Sequence, residues 1–256
     1  MKLAGADGII ACSRAGEKSM SFEAKVVLVA GGTGGLGRAV SLAFLNEGAS
    51  LVVTYVIDQE FADLKTAARG SASKLVGRKV DVTDESAVEQ LVKGILGDHG
   101  RLDVLVNTVG GYAGGMKLWE ADAKLLDHML VLNLRSGFVL SRVAARTMLP
   151  WGKGAIVNVL ARAALDHPPG LGAYAASKAA ALAMMDSLAA DLRGTGVRAN
   201  SILPSIIDTQ ANRSAMPNAD FAAWPKPEDI AQVILFLASD TARVIHGAAI
   251  PVYGNA

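Results

Sequence analysis

The sequence predicts an α/β fold, a Rossmann-type doubly wound sheet of about seven mainly parallel strands with helices on both faces. Three observations predict it. Seven short β-branched runs alternate with longer helical patterns along the chain. Most of the runs are continuously apolar, as strands covered on both faces read. A glycine-rich loop joins the first run to the first helical pattern. With 256 residues, 51% of them apolar and spread along the whole length, the chain can fill a core on each side of such a sheet.

Residues 1–19 stand apart, because Met20-Ser21-Phe22-Glu23-Ala24-Lys25 reads as a natural start before the first strand. We expect 1–19 to be a disordered extension or the product of an upstream start codon. Ile9-Ile10-Ala11-Cys12 loosely matches a lipoprotein cleavage box, but Asp7 interrupts the apolar stretch and only Lys2 supplies a positive flank. Residues 20–256 are expected to form one domain. The strands fall at 26–29, 51–55, 76–80, 104–106, 155–159, 197–203 and 248–252. Helices between them are marked by start signals: Asp84-Glu85 before Val88, Leu91 and Val92, and Pro227-Glu228-Asp229 before Ile230, Val233 and Ile234. The irregular stretches 108–118, 160–173 and 205–226 each follow a strand, where open α/β sheets build their ligand crevice.

Charge narrows the partners. Lys and Arg (25) balance Asp and Glu (24), leaving +1 and no basic block, so neither nucleic acid nor a membrane surface is indicated. No apolar run approaches the ~18 residues of a membrane span. A single cysteine, Cys12, excludes an intrachain disulfide and a Cys-rich zinc site, consistent with a reducing cytoplasm. The four histidines show no metal-ligand spacing, and no metal is expected.

The first strand runs into Ala30-Gly31-Gly32-Thr33-Gly34-Gly35-Leu36-Gly37 and then into a helical pattern over 38–46. A pyrophosphate needs backbone N–H groups at a helix N-terminus, and glycines let the chain turn and approach without Cβ clashes. Asn107 ends the fourth strand at the expected switch point beside the first. An acid at the end of the second strand would bind the ribose 2′-OH of NAD, and Tyr55-Val56-Ile57 stands there instead. The cofactor is therefore written NAD(P), leaning toward NADP.

Tyr174 and Lys178 lie four apart at the start of an Ala-rich helical run, so both side chains emerge on one face. An ammonium beside a phenol favours phenolate and draws a tyrosine toward a useful acid/base range. Asn133 is polar within an otherwise apolar stretch, either a core amide bonded to backbone or a water-holding link in a proton path to Lys178. Trp224 either caps a substrate pocket or anchors the 205–226 loop.

On these motifs the chain from Met20 onward resembles the short-chain dehydrogenases/reductases. The resemblance implies phosphate binding by Gly31, Thr33, Gly35, Leu36 and Gly37, adenine contact by Asp81 and Val82, and a cofactor-side position for Asn107. It implies acid/base work by Tyr174, a ribose-binding role for Lys178, a relay through Asn133, and nicotinamide contacts from Pro204, Ile207 and Thr209. It also implies a homo-oligomer, dimer or tetramer, through the helical regions 119–149 and 173–194. Two departures stand out. Position 161, where the family usually has a substrate-binding serine, is alanine, and the usual Asn-Asn-Ala-Gly is Asn107-Thr108-Val109-Gly110.

The substrate-side segments, Val109 through Gly115, Arg162 through Asp166 and Leu203 through Trp224, resemble the dihydropteridine reductase branch, which works without that serine on an electrophilic quinonoid ring. The expected function is hydride transfer from NAD(P)H to a small carbonyl or quinonoid acceptor. A conventional ketone or 3-oxoacyl reductase is the alternative, and a non-catalytic nucleotide-binding sensor is the alternative of another class.

Overall fold

The computed structural model describes residues 20–255, so the readings of 1–19, Cys12 included, lie outside the described residues. The strands are β1 (Val26–Ala30), β2 (Ser50–Tyr55), β3 (Leu75–Lys79), β4 (Val104–Asn107), β5 (Gly154–Val159), β6 (Val197–Pro204) and β7 (Ala249–Val252). They form one sheet in the order β3-β2-β1-β4-β5-β6-β7, and every pairing is parallel.

Alternation of side chains explains why the strands read as unbroken apolar runs. Val27 and Val29 enter one buried cluster while Val26, Leu28 and Ala30 enter another on the opposite face. The first face is covered by α1 (Gly35–Asn46), α2 (Asp58–Ala68) and α9 (Pro227–Ala238). The second is covered by α3 (Glu85–His99), α5 (Ser136–Met148) and α7 (Gly172–Asp191). Asp84 caps α3, accepting from the Ala87 N–H at 3.1 Å, and Gly100 ends it in the left-handed region (φ +73°). Pro227 opens α9 with Glu228 and Asp229 in its first turn. At the start of β4, buried Asp103 accepts from the Val26 N–H at 2.9 Å and from Arg101 Nε at 2.8 Å, tying β4 to β1.

The structure refines several expectations. Helix α1 begins three residues earlier than the pattern suggested, because the glycines themselves form its first turn. The region 119–149 is not one helix: α4 (Ala123–Leu130) and α5 are joined by a π-helical turn, Val131–Arg135. The irregular stretches contain short pieces, α6 (Ala163–Asp166), α8 (Gln210–Ala215) and a 3₁₀ turn Phe221–Ala223. The strand order doubles back between β1 and β4, whose last residues Ala30 and Asn107 are register partners. The glycine loop and the loop after β4 therefore leave the sheet side by side.

Candidate active site

The glycine loop is locked to its neighbours by backbone and hydroxyl groups. Gly31 sits at φ +72°, and its N–H donates to Thr54 Oγ1 at 3.0 Å. Thr108 Oγ1 donates to the carbonyls of Ala30 (2.7 Å) and Gly31 (3.1 Å). A Cβ at Gly37 would lie 2.0 Å from the Gly31 carbonyl oxygen, so only glycine lets the helix pack this close to the strand end. At Gly34, α1 has no side-chain cap, and its first turn holds no acid. The free N–H groups and positive dipole end suit a phosphate, so the residues present fit a dinucleotide. The Leu36 side chain is buried in the core, leaving its backbone for a ligand.

Thr33 makes a side-chain contact that the sequence did not indicate. Its hydroxyl donates to Glu60 Oε2 at 2.7 Å, so an acid from α2 stands beside the phosphate loop. Asp81 lies beyond the end of β3, and its Oδ1 accepts from the Thr83 N–H (2.9 Å) and hydroxyl (2.8 Å) in an Asx turn. Val82 is buried among the residues of α3. Across the crevice, Thr209 closes on the loop: a Cβ at Gly35 would meet its Cγ2 at 2.9 Å. Pro204 ends β6, its carbonyl accepting from the Arg162 N–H at 2.8 Å, and the Ile207 carbonyl accepts from Asn212 Nδ2 at 2.8 Å. Trp224 is buried, and its ring packs 5.0 Å from that of Phe221 in the same loop.

Asn133 ties the loop after β4 to α7. The π turn brings it to 2% exposure, where Oδ1 accepts from the Gly111 N–H (2.9 Å) and Nδ2 donates to the Gly111 carbonyl (3.1 Å) and to Ser177 Oγ (2.9 Å). Ser177 donates in turn to the Tyr174 carbonyl at 2.7 Å. Lys178 is buried, and its Nζ donates to the Val159 carbonyl at 3.4 Å. Gly110 covers both groups, since a Cβ there would stand 2.8 Å from Asn133 Oδ1 and 3.0 Å from Lys178 Nζ. Asn107 lies deeper, donating to Asn158 Oδ1 at 3.0 Å and accepting from the Val109 N–H at 3.0 Å.

Burial sets the titration of the pair. It pushes the Lys178 ammonium down to about 8. It also pushes the Tyr174 phenol up to about 12, with neighbouring Tyr112 adding to the rise. Burial therefore raises Tyr174 where the ammonium was expected to lower it, and the phenol is protonated at neutral pH, the form that can give a proton. Ala161 is buried with Ala163 and Ala175 in a small cluster against Tyr174. Tyr112 is 69% exposed, its ring 5.1 Å from that of Tyr174 and inclined at 67°.

Thr108, Glu60 and Ser177 carried no functional signal of their own in the sequence, and Tyr112 stood out only as part of the substrate-side segment Val109 through Gly115. Thr108 stood out only as a departure, and Ser177 only as the one hydroxyl in an alanine-rich run beside Lys178. A cavity of about 810 Å³ lies at the amino ends of β1, β4, β5 and β6, lined by Phe22, Asp103, Gly154 and Arg198 among others. It is at the end of the sheet opposite these groups. Among the described residues no group of three His, Cys, Asp or Glu could hold a metal ion, and His246 is engaged by the Ala199 N–H and the Ala189 carbonyl. No helix among the described residues is long and apolar enough to cross a membrane.

A parallel sheet with an open glycine-lined helix N-terminus at its switch point, facing a buried lysine and a tyrosine, defines a nicotinamide-nucleotide oxidoreductase. The short chain dehydrogenase family model matches residues 25–220, and the chain belongs to that family. It is 31% identical over 246 residues to the 3-oxoacyl-[acyl-carrier-protein] reductase FabG of Thermotoga maritima, covering 92% of this chain and 99% of that one. It is 33% identical over 255 residues to meso-2,3-butanediol dehydrogenase of Serratia marcescens, covering 93% and 96%. Among solved structures it is similar to ElxO with NADP bound, at TM-score 0.85 and 25% identity, covering 90% of this chain and 97% of that one. The protein is an NAD(P)-dependent oxidoreductase of this family. The resemblance to dihydropteridine reductase is the finer reading and rests on the loop residues alone.

Proposed function

We propose that the protein reduces a small, already electrophilic acceptor, carbonyl or quinonoid, with a dihydropteridine-like ring as the specific candidate. The nicotinamide cofactor supplies the hydride. Gly31, Gly35 and Gly37 would hold its phosphates with Thr209 beside Gly35, and Asn107 would stand at the strand end next to it. Tyr174, protonated in its buried setting, donates to the acceptor oxygen or nitrogen as the hydride arrives, leaving a phenolate that Lys178 stabilises. Asn133 and Ser177 fix the helix that carries both groups.

The observation that carries the acceptor class is Ala161. It sits against Tyr174 with no hydroxyl to bind a substrate carbonyl. Loss of such a donor costs ~10² to 10³ in rate where the reaction depends on it. An acceptor that is electrophilic from the outset depends on it least. The similarity to FabG favours a second reading, a conventional ketone or 3-oxoacyl reductase. Cofactor oxidation measured with quinonoid dihydropterin and a panel of ketones separates the two, and failure to turn over the pterin would sink the specific candidate. Tyr174→Phe should lower kcat at least ~10²-fold on any accepted substrate. Unchanged turnover would sink the mechanism.

For the nucleotide, the missing acid at the end of β2 leans toward NADP. Glu60 on Thr33 supports the opposite preference, because its carboxylate stands beside the loop and the nearby Lys79 is already paired with Asp58 at 2.6 Å. We infer a preference for NADH. Self-association is proposed from the apolar surface on the α4–α5 side, where Val131 and Phe138 are 43% and 49% exposed. A cytoplasmic location is proposed with it.

A further inference from the structure

We infer that Tyr112 supplies, from the loop after β4, the substrate hydrogen bond that Ala161 cannot give from the end of β5. The inference rests on the reductase reading of the Tyr174 site but not on the choice of acceptor.

Four observations carry it. First, the phenol is in place. The Tyr112 ring meets that of Tyr174 edge to face at 5.1 Å, so a substrate atom within reach of the Tyr174 hydroxyl lies close to the Tyr112 side chain as well. Second, its hydroxyl is free to bond: the residue is 69% exposed, and among the described residues no hydrogen bond is found for that hydroxyl, which lies beside the backbone of Gly114. A phenol hydroxyl is both donor and acceptor and finds a partner when it is covered. A bound acceptor would provide both cover and partner.

Third, the backbone beside Tyr112 is held by the same amide that fixes the helix of Tyr174. Asn133 binds Gly111 through both its N–H and its carbonyl, and binds Ser177, which binds the Tyr174 carbonyl. The two tyrosines are thereby positioned relative to each other by one buried side chain. Fourth, Gly114 leaves room for it: a Cβ there would stand 2.5 Å from the Tyr112 hydroxyl oxygen and 2.2 Å from Leu171 Cδ2. A side chain at Gly114 would displace the phenol.

Tyr112 transfers no proton in this scheme. Hydride passes to the acceptor, Tyr174 gives the proton, and Tyr112 donates a hydrogen bond to the atom on which negative charge develops. It thereby touches the substrate and acts where the serine hydroxyl would.

The test is a two-by-two set on the purified full chain: wild type, Tyr112→Phe, Ala161→Ser and the double variant. kcat and KM are measured on the best accepted substrate, with Tyr174→Phe as control. Phenylalanine keeps the edge-to-face ring contact and removes only the hydroxyl. Tyr112→Phe should lower kcat about tenfold or more while the melting temperature stays within a degree or two of wild type. Ala161→Ser should restore most of that loss in the double variant and change the wild type far less.

Two results would overturn the inference. One is a kcat for Tyr112→Phe within twofold of wild type. The other is an equal loss with and without Ala161→Ser, which would mean the two hydroxyls do not serve one substrate atom. Retained activity in Tyr174→Phe is a separate outcome that removes the reductase reading itself, and the inference with it.

Discussion

Replacing Lys178 with methionine should make the protein more stable and nearly inactive. Burial lowers the ammonium from its ordinary 10.5 to about 8. Among the described residues its only hydrogen bond is the one of 3.4 Å to the Val159 carbonyl. A displacement of that size corresponds to about 3 kcal/mol spent in keeping the charge buried, at ~1.36 kcal/mol per pKa unit. Methionine fills a similar volume without charge but leaves the Val159 carbonyl without that donor, which returns ~1 kcal/mol. The net expectation is a gain of about 2 kcal/mol, or ~4–8 °C in Tm for a domain of this size. The sign with pH follows from proton uptake. Between about 8 and 10.5 the unfolded lysine holds a proton that the folded one has lost, so wild-type stability gains with rising pH in that window. The advantage of Lys178→Met is therefore full at pH 7 and fades as pH climbs from 8 toward 10.5. Thermal unfolding of both proteins without cofactor, at pH 7, 8.5 and 10, measures it directly. A lower Tm for the variant at pH 7, or a gain that does not shrink by pH 10, would refute the reasoning.

Two further substitutions probe the rest of the site. Glu60→Gln removes the negative charge beside Thr33, and the ratio of kcat/KM for NADPH to that for NADH should rise about tenfold; a ratio unchanged within twofold would return the preference to the residues at the end of β2. Gly110→Ala places a methyl 2.8 Å from Asn133 Oδ1 and 3.0 Å from Lys178 Nζ, and should cost ~10-fold or more in kcat with KM for the cofactor little changed; full activity would show that the amide and the ammonium are not held as described.

The sheet was legible because its signal is local. Each strand such as Val26–Ala30 is apolar at every position, since both faces are covered, and each helix start carries its own capping residue. The glycine loop and the Tyr174–Lys178 pair were legible because their chemistry requires fixed spacing. What the sequence did not show depends on which segments meet in space. Glu60 is 27 residues from Thr33, Ser177 is 44 from Asn133, and Thr108 is 77 from Gly31. None of these pairs has a periodic signature. Asp81, assigned by resemblance, has one carboxylate oxygen in the turn to Thr83, a local contact that neither supports nor removes its adenine role.

The π turn at Val131–Arg135 connects these two kinds of information. An unbroken α-helix over 119–149 would be the cheaper backbone, because a π turn adds a residue and rotates everything after it by ~100°. That rotation lets α5 keep Val139, Leu140 and Val143 in the core while α4 sets a different face inward, and it leaves Asn133 buried at the seam. A buried amide is tolerated only if its donors and acceptor are used. The groups it uses are the backbone of the loop that carries Tyr112 and the helix that carries Tyr174. A purely structural amide could have been satisfied within its own helix at lower cost. Asn133 reaches out to two segments 22 and 44 residues away, Gly111 beside Tyr112 and Ser177 on the helix of Tyr174. The irregular turn is thus best accounted for by what it positions, which is why the absent hydroxyl at 161 directs attention to Tyr112.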